Sequence, residues 1–154
     1  MGWVTFKEIR EGLITDASFV ANVWRVYINS TDIDPRYSDP IKFFQRTYIS
    51  EGLAHVLENT LQRLSGKGGD PIILLKTTFG GGKTHTLIAI YHLCLNLPAV
   101  LKCENVVSSL RAPTFAVKPA VVVFDGFEVD PRRLRDVYNA NNLWQFLLLS
   151  LIHI

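Results

Sequence analysis

No strong charge of one sign marks this chain. Its 154 residues carry a formal net charge of +2, too small an imbalance to argue for a nucleic-acid or membrane surface. The one dense basic group, Arg132, Arg133 and Arg135, stands between Asp130 and Asp136 and reads as a solvated helix face. No charged start leads into an apolar core of the kind that directs secretion, and no apolar run is long enough to span a bilayer. The cytoplasm is therefore the expected compartment, with no membrane partner. Cysteine is scarce: Cys94 and Cys103 form neither a C-x-x-C pair nor a metal-ligand spacing, which fits a reducing environment. Histidine is equally short of a metal set, since His85 and His92 share one predicted helix without a third ligand. Internal repeats and low-complexity tracts are absent as well, and the length suits one compact domain.

Against that background the run Thr77-Thr78-Phe79-Gly80-Gly81-Gly82-Lys83-Thr84 carries chemistry. A nucleoside triphosphate needs several backbone N–H groups converging on its β- and γ-phosphates, and only residues with little side chain let the backbone approach that closely. Three consecutive glycines supply that freedom. Lys83 would set an ammonium on the β/γ-phosphates, and the Thr84 hydroxyl would take a coordination site on Mg²⁺. The helix predicted from Lys83 adds a positive N-terminus, with His85 beside the phosphate. Thr78, Phe79, Gly80, Gly81, Gly82, Lys83, Thr84 and His85 are thus the expected nucleotide-binding residues, with ATP and Mg²⁺ as cofactors. The general pattern G-x-x-x-x-G-K-[ST] puts its first glycine at position 77, which is Thr in this chain.

Apolar patterning divides the chain at this loop. Residues 1–69 read as a helical segment. Thr5-x-x-Glu8 has the form of a capping box, and Phe19, Val20, Val23, Trp24, Val26 and Tyr27 recur at helical spacing. Residues 29–39 read as a loop, and Asp39-Pro40 as an N-cap with proline in the first helical position. From there Phe44, Tyr48, Leu53, Leu57, Leu61 and Leu64 predict one long helix, stopped by Ser65-Gly66-Lys67-Gly68-Gly69. Residues 70–148 read as the start of a nucleotide-binding domain. Pro71-Ile72-Ile73-Leu74-Leu75-Lys76 and Ala120-Val121-Val122-Val123-Phe124-Asp125 have the form of buried strands, joined through a helix that Pro98 ends. The expected fold class is α/β: an incomplete P-loop NTPase core, a parallel βαβ unit of the three-layer αβα type, preceded by the N-terminal helical segment.

Asp125 ends the second of those runs, where P-loop NTPases hold the water shell of Mg²⁺. It is a second Mg²⁺ candidate beside Thr84. Its neighbour Gly126 makes the same pair an ordinary Asp-Gly turn, so both readings stay open.

Tyr37-x-Asp39-Pro40, Phe43-Phe44-x-x-Thr47-Tyr48, Glu51-Gly52-Leu53 and, above all, Phe79-Gly80-Gly81-Gly82-Lys83-Thr84-His85-Thr86-Leu87 followed by Tyr91-His92-Leu93 carry a resemblance. They resemble a large AAA-type family of predicted prokaryotic P-loop ATPases, often encoded beside DNA methyltransferase and helicase genes in phage-defence clusters. The likeness covers most of residues 3–144 and implies an N-terminal fragment of an ATPase, acting on DNA or in an anti-phage complex and forming homo-oligomers at full length. That family tolerates a residue other than glycine at the first loop position. Its hydrolytic acidic pair, sensor and arginine finger are expected beyond residue 154, so the catalytic residues are unknown and the isolated fragment is expected to be inactive. In the same comparison Asp125 falls on the strand before the acidic one.

The tail Leu149-Ser150-Leu151-Ile152-His153-Ile154 looks like the translation of a transposon end used to build DNA sequencing libraries. Residues 149–154 are therefore expected to be non-native. Three function classes follow from the loop: an ATPase when full length, a nucleotide-dependent switch that does not hydrolyse, and a small-molecule kinase whose lid arginines would be Arg132, Arg133 and Arg135.

Overall fold

The computed structural model of the chain describes residues 21–78, 80–111 and 119–152. The Thr5-x-x-Glu8 box, Phe19, Val20, Phe79 and His153 lie outside these. Regular structure among the described residues is entirely helical: α1 Val23–Tyr27, α2 Pro35–Ser38, α3 Pro40–Gln45, α4 Glu51–Leu64, α5 Lys83–Val100, α6 Glu104–Ser109, α7 Pro131–Asp136 and α8 Leu143–Ile152. None of these helices is long and apolar enough to cross a membrane.

Helix boundaries follow local capping. Asp39 accepts from Ile41 N and Lys42 N, both at 2.9 Å, with Pro40 opening α3. The long helix expected from residue 40 onward is instead two. Thr47 Oγ1 turns back to donate to Phe43 O at 2.7 Å, competing with helix propagation as short hydroxyl side chains do. Ser50 then restarts the helix by accepting from Leu53 N at 3.3 Å. Within the stretch read as loop, Asp34 and Pro35 start the single turn of α2, where Asp34 accepts from Arg36 N at 2.8 Å.

Helix α5 is the hub, with α1, α3 and α4 packed on it and α6 on α3. Its buried residues Ile88, Ala89, His92, Leu93, Cys94, Leu97 and Val100 surround most of the helix axis. Against them stand Phe43 and Phe44 of α3 and the Leu53, Leu57, Leu61 row of α4, spaced one helical turn apart. Pro98 does not end α5 outright. Asn96 takes the dihedrals φ −127°, ψ 28°, so the helix kinks there and resumes through Val100. A proline removes an N–H and crowds the carbonyl four residues back, which puts the distortion before it. A second apolar group, Trp24, Val129, Leu134, Ala140 and Phe146, gathers around aromatic contacts of Trp24 and Tyr138 with Phe146.

The parallel βαβ unit expected from the sequence does not form, and the α/β P-loop core is corrected to a helical domain. Residues 71–78 and 119–125 pair with no strand among the described residues. Ile72 and Leu74 are 83% and 72% exposed, while Val121, Val122 and Val123 are half-buried, the last two against the buried apolar groups. A β-branched run supplies strand propensity, yet a strand exists only when a second segment accepts and donates its backbone bonds.

Candidate functional site: a glycine loop at an open helix end

The loop lies between the extended segment 71–78 and the first turn of α5. Gly80 and Gly82 adopt φ of 79° and 76°, the left-handed region where a side chain is strained. Gly82 is also the N-cap of α5 and provides no side-chain acceptor to its first turn. A Cβ on Gly81 would lie 2.5 Å from Thr77 Cβ, so the loop closes this tightly only with glycine in that position. Its backbone is turned by Gly81 N donating to Thr78 O at 3.1 Å.

Lys83 bends back into this loop. Its ammonium donates to Thr77 O, Thr77 Oγ1 and Thr78 O, each at 3.0 Å. All three acceptors are neutral, and among the described residues no carboxylate pairs with it. The first backbone bond of α5 runs from Thr86 N to Gly82 O at 2.8 Å, leaving the N–H groups of Thr84 and His85 without an acceptor among the described residues. A cation, two free backbone donors and a helix end of positive partial charge are therefore collected in one exposed place.

His85 anchors the first turn of α5 to the helical segment. Its Nε2 is 3.0 Å from Thr47 Oγ1, and its ring lies against Phe43 at a centroid distance of 4.5 Å. Thr47 spends its one proton on Phe43 O, so it accepts from His85, and the imidazole carries its proton on Nε2. Burial pushes the His85 pKa down, favouring the neutral ring. Two turns on, the buried His92 donates Nε2–H to Tyr37 O at 2.7 Å, while Nδ1 has no partner among the described residues. Burial lowers its pKa, opposed by the Tyr37 carbonyl and the Asp39 carboxylate.

Thr78, Gly80, Gly81, Gly82, Lys83, Thr84 and His85 are thus brought together, as neighbours in sequence must be. Asp125 is not joined to them by any hydrogen bond; its Oδ1 accepts from Phe127 N at 2.9 Å and Glu128 N at 3.3 Å, closing a local turn. No group of three or more His, Cys, Asp or Glu able to hold a metal occurs among the described residues. Burial raises the Cys94 thiol to about 11, which suits a core residue and not a nucleophile. Two supporting residues were not evident as such in the sequence. Thr47 holds His85 across 38 positions, and Asn105 Nδ2 donates to Phe44 O at 2.7 Å and Thr47 O at 3.0 Å, pinning the end of α3. Neither contact has a periodicity or motif to announce it.

The fold and this site define a helical domain that presents a glycine-rich, lysine-bearing loop at the open N-terminus of its central helix. The chain belongs to the family of the DUF499 N-terminal domain, whose profile matches residues 8–120, about three-quarters of its length. Neither a curated protein nor a solved structure matches it.

Proposed function

We propose that the loop Thr77–Thr84 binds the phosphates of Mg-ATP, and that the chain is the nucleotide-binding N-terminal part of an AAA-type ATPase. The observation that carries this reading is the Lys83 ammonium, held by three neutral oxygens at 3.0 Å beside the N–H groups of Thr84 and His85, which have no acceptor among the described residues. An ionised phosphate oxygen adds to the ammonium's hydrogen bond a Coulombic attraction that a neutral oxygen lacks, so an incoming phosphate would displace the loop oxygens. The backbone of Gly80, Gly81 and Gly82 and the N–H groups of Thr84 and His85 would complete the anion cradle. The Thr84 hydroxyl would face Mg²⁺. The metal ion, when bound, would neutralise phosphate charge. This reading needs the loop and the helix end and no sheet.

Because the family resemblance puts the hydrolytic acidic pair beyond residue 154, this chain is expected to bind without turnover. A nucleotide-dependent switch is therefore the second reading. Action on DNA, membership of an anti-phage complex and homo-oligomer formation come from the family resemblance alone and extend the proposal to the full-length protein. The deciding experiment is calorimetric titration of Mg-ATP into the chain and into Lys83→Ala, with helical content followed by circular dichroism. Wild type should bind, and the variant should lose at least about a hundredfold in affinity with its helices intact, as expected for about 3 kcal/mol of charged hydrogen bonding. Equal affinity in the two proteins would remove Lys83 from phosphate binding and the proposal with it.

A further inference from the structure

We propose that Thr77 is the latch of the phosphate loop, a role that rests on the phosphate-loop reading of Thr77–Thr84. Its side chain holds Lys83 in a self-bound state that a ligand has to break, and so sets the loop's affinity for phosphate below what the glycines and the lysine alone would give. The general loop pattern has glycine at this position, and threonine brings a hydroxyl to it. Thr77 Oγ1 accepts from the Lys83 ammonium at 3.0 Å and donates its own proton to Thr78 O at 3.2 Å. A lysine ammonium has three donors. Thr77 O, Thr77 Oγ1 and Thr78 O, each at 3.0 Å, match all three. Two of these acceptors belong to Thr77, and the hydroxyl is the one that a glycine could not supply.

The same side chain covers part of the loop. A Cβ on Gly81 would meet Thr77 Cβ at 2.5 Å, so the threonine side chain rests directly on the Gly81 backbone. Gly81 in turn donates its N–H to Thr78 O at 3.1 Å. That one oxygen therefore gathers a hydroxyl, an amide and an ammonium, and ties Thr77, Gly81 and Lys83 together. None of the three residues is buried, so undoing the tie leaves the core untouched. An anion that takes both the Gly81 N–H and the Lys83 ammonium has to undo it. A closed ground state of this kind raises the apparent dissociation constant by the reciprocal of the fraction that is open. Valine at this position would keep the β-branched shape over Gly81 and remove only the hydroxyl's bonds, which shifts the loop toward its open state.

A double-mutant cycle tests the latch. Mg-ATP and Mg-tripolyphosphate are titrated by calorimetry into the full 154-residue chain, Thr77→Val, Thr77→Ser, Lys83→Ala and the Thr77→Val/Lys83→Ala pair, with helical content followed by circular dichroism. Thr77→Val should bind both ligands about three- to tenfold more tightly than wild type, the equivalent of roughly one net hydrogen bond. Thr77→Ser, which keeps the hydroxyl, should match wild type. Without the lysine there is nothing to hold, so adding Thr77→Val to Lys83→Ala should change nothing, and the two substitutions should be coupled instead of additive. Unchanged or weaker binding by Thr77→Val, in a chain whose binding depends on Lys83, would overturn the latch and leave the phosphate loop standing. An equal gain in Thr77→Ser, or in the absence of Lys83, would overturn it too, because the gain would not come from releasing the ammonium. Absence of binding in wild type and Thr77→Val alike would instead remove the phosphate-loop reading, and the latch with it.

Discussion

Ile88, Leu93 and Val100 on α5 are fully buried, whereas Ile72 and Leu74, in the extended segment that precedes the loop, are 83% and 72% exposed. Both stretches are apolar and both flank the same glycines. What separates them is where their backbone bonds go. A helix closes its bonds within one segment, so α5 can fold first as a unit and then offer its surface to α1, α3 and α4. An extended run has no such internal solution, and its apolar side chains have nothing to pack against until another segment supplies both a ladder and a face. Apolarity therefore says that a segment is able to be buried, and hydrogen-bond closure says whether it is.

Substitutions at matched apolar positions would break this comparison most directly. Phe44, with no exposed surface, meets Phe43 edge-on at 5.3 Å within the α3–α5 contact. Phe44→Ala should cost about 3–5 kcal/mol in urea unfolding, from lost transfer energy and the cavity left behind. Leu74→Ser, on the extended side, should stay within about 0.5 kcal/mol of wild type. A comparable cost at Leu74 would show that the extended segment is packed in solution.

A smaller effect is expected at Asn105, whose amide holds the last turn of α3 where helix meets irregular chain. Asn105→Ala leaves the carbonyls of Phe44 and Thr47 without their donor, at a cost of about 1–3 kcal/mol. The same variant should loosen His85 and so weaken Mg-ATP binding, whereas Leu74→Ser should not. Parallel stability and affinity measurements on the two variants would sharpen the boundary between the rigid side of the loop and the extended side.

The gentlest probe is pH. Burial holds both His85 and His92 below the ordinary imidazole value of about 6.5. The folded state thus binds fewer protons than the unfolded state once pH falls beneath that value. Above it both states are neutral and stability is flat; below it the unfolded chain takes up protons first, and stability declines until the folded-state values are reached. Tm measured from pH 7.5 down to 5.5 should therefore fall, and His92→Gln, which keeps a donor toward Tyr37 O, should flatten the decline. A Tm that rises with acid would contradict the neutral, buried state of these rings.

The loop and the helix behind it were legible in the sequence because both are local. Three glycines before Lys83-Thr84 dictate a chain that can adopt φ near +76° at Gly82, and the apolar residues of α5 are dense enough to predict its burial. Asp39-Pro40 likewise marked the start of α3, since a carboxylate reaches only the N–H groups two and three residues on. Reading α3 and α4 as a single helix failed at Thr47, where the hydroxyl bonds backward to Phe43 O and Ser50 opens a new cap. Tyr48 fits a helical stripe in spacing and still lies in water.

Local chemistry, in short-range bonds and in spacing along one segment, was thus written in the order of the amino acids: the left-handed glycines, the lysine at the helix end and the apolar row of α4. The tie from Thr47 to His85 and the amide of Asn105 on Phe44 and Thr47 were settled by the tertiary structure. Each depends on segments far apart in the chain meeting in space, and no residue carries in its own neighbourhood the position of a partner 38 or 58 places away.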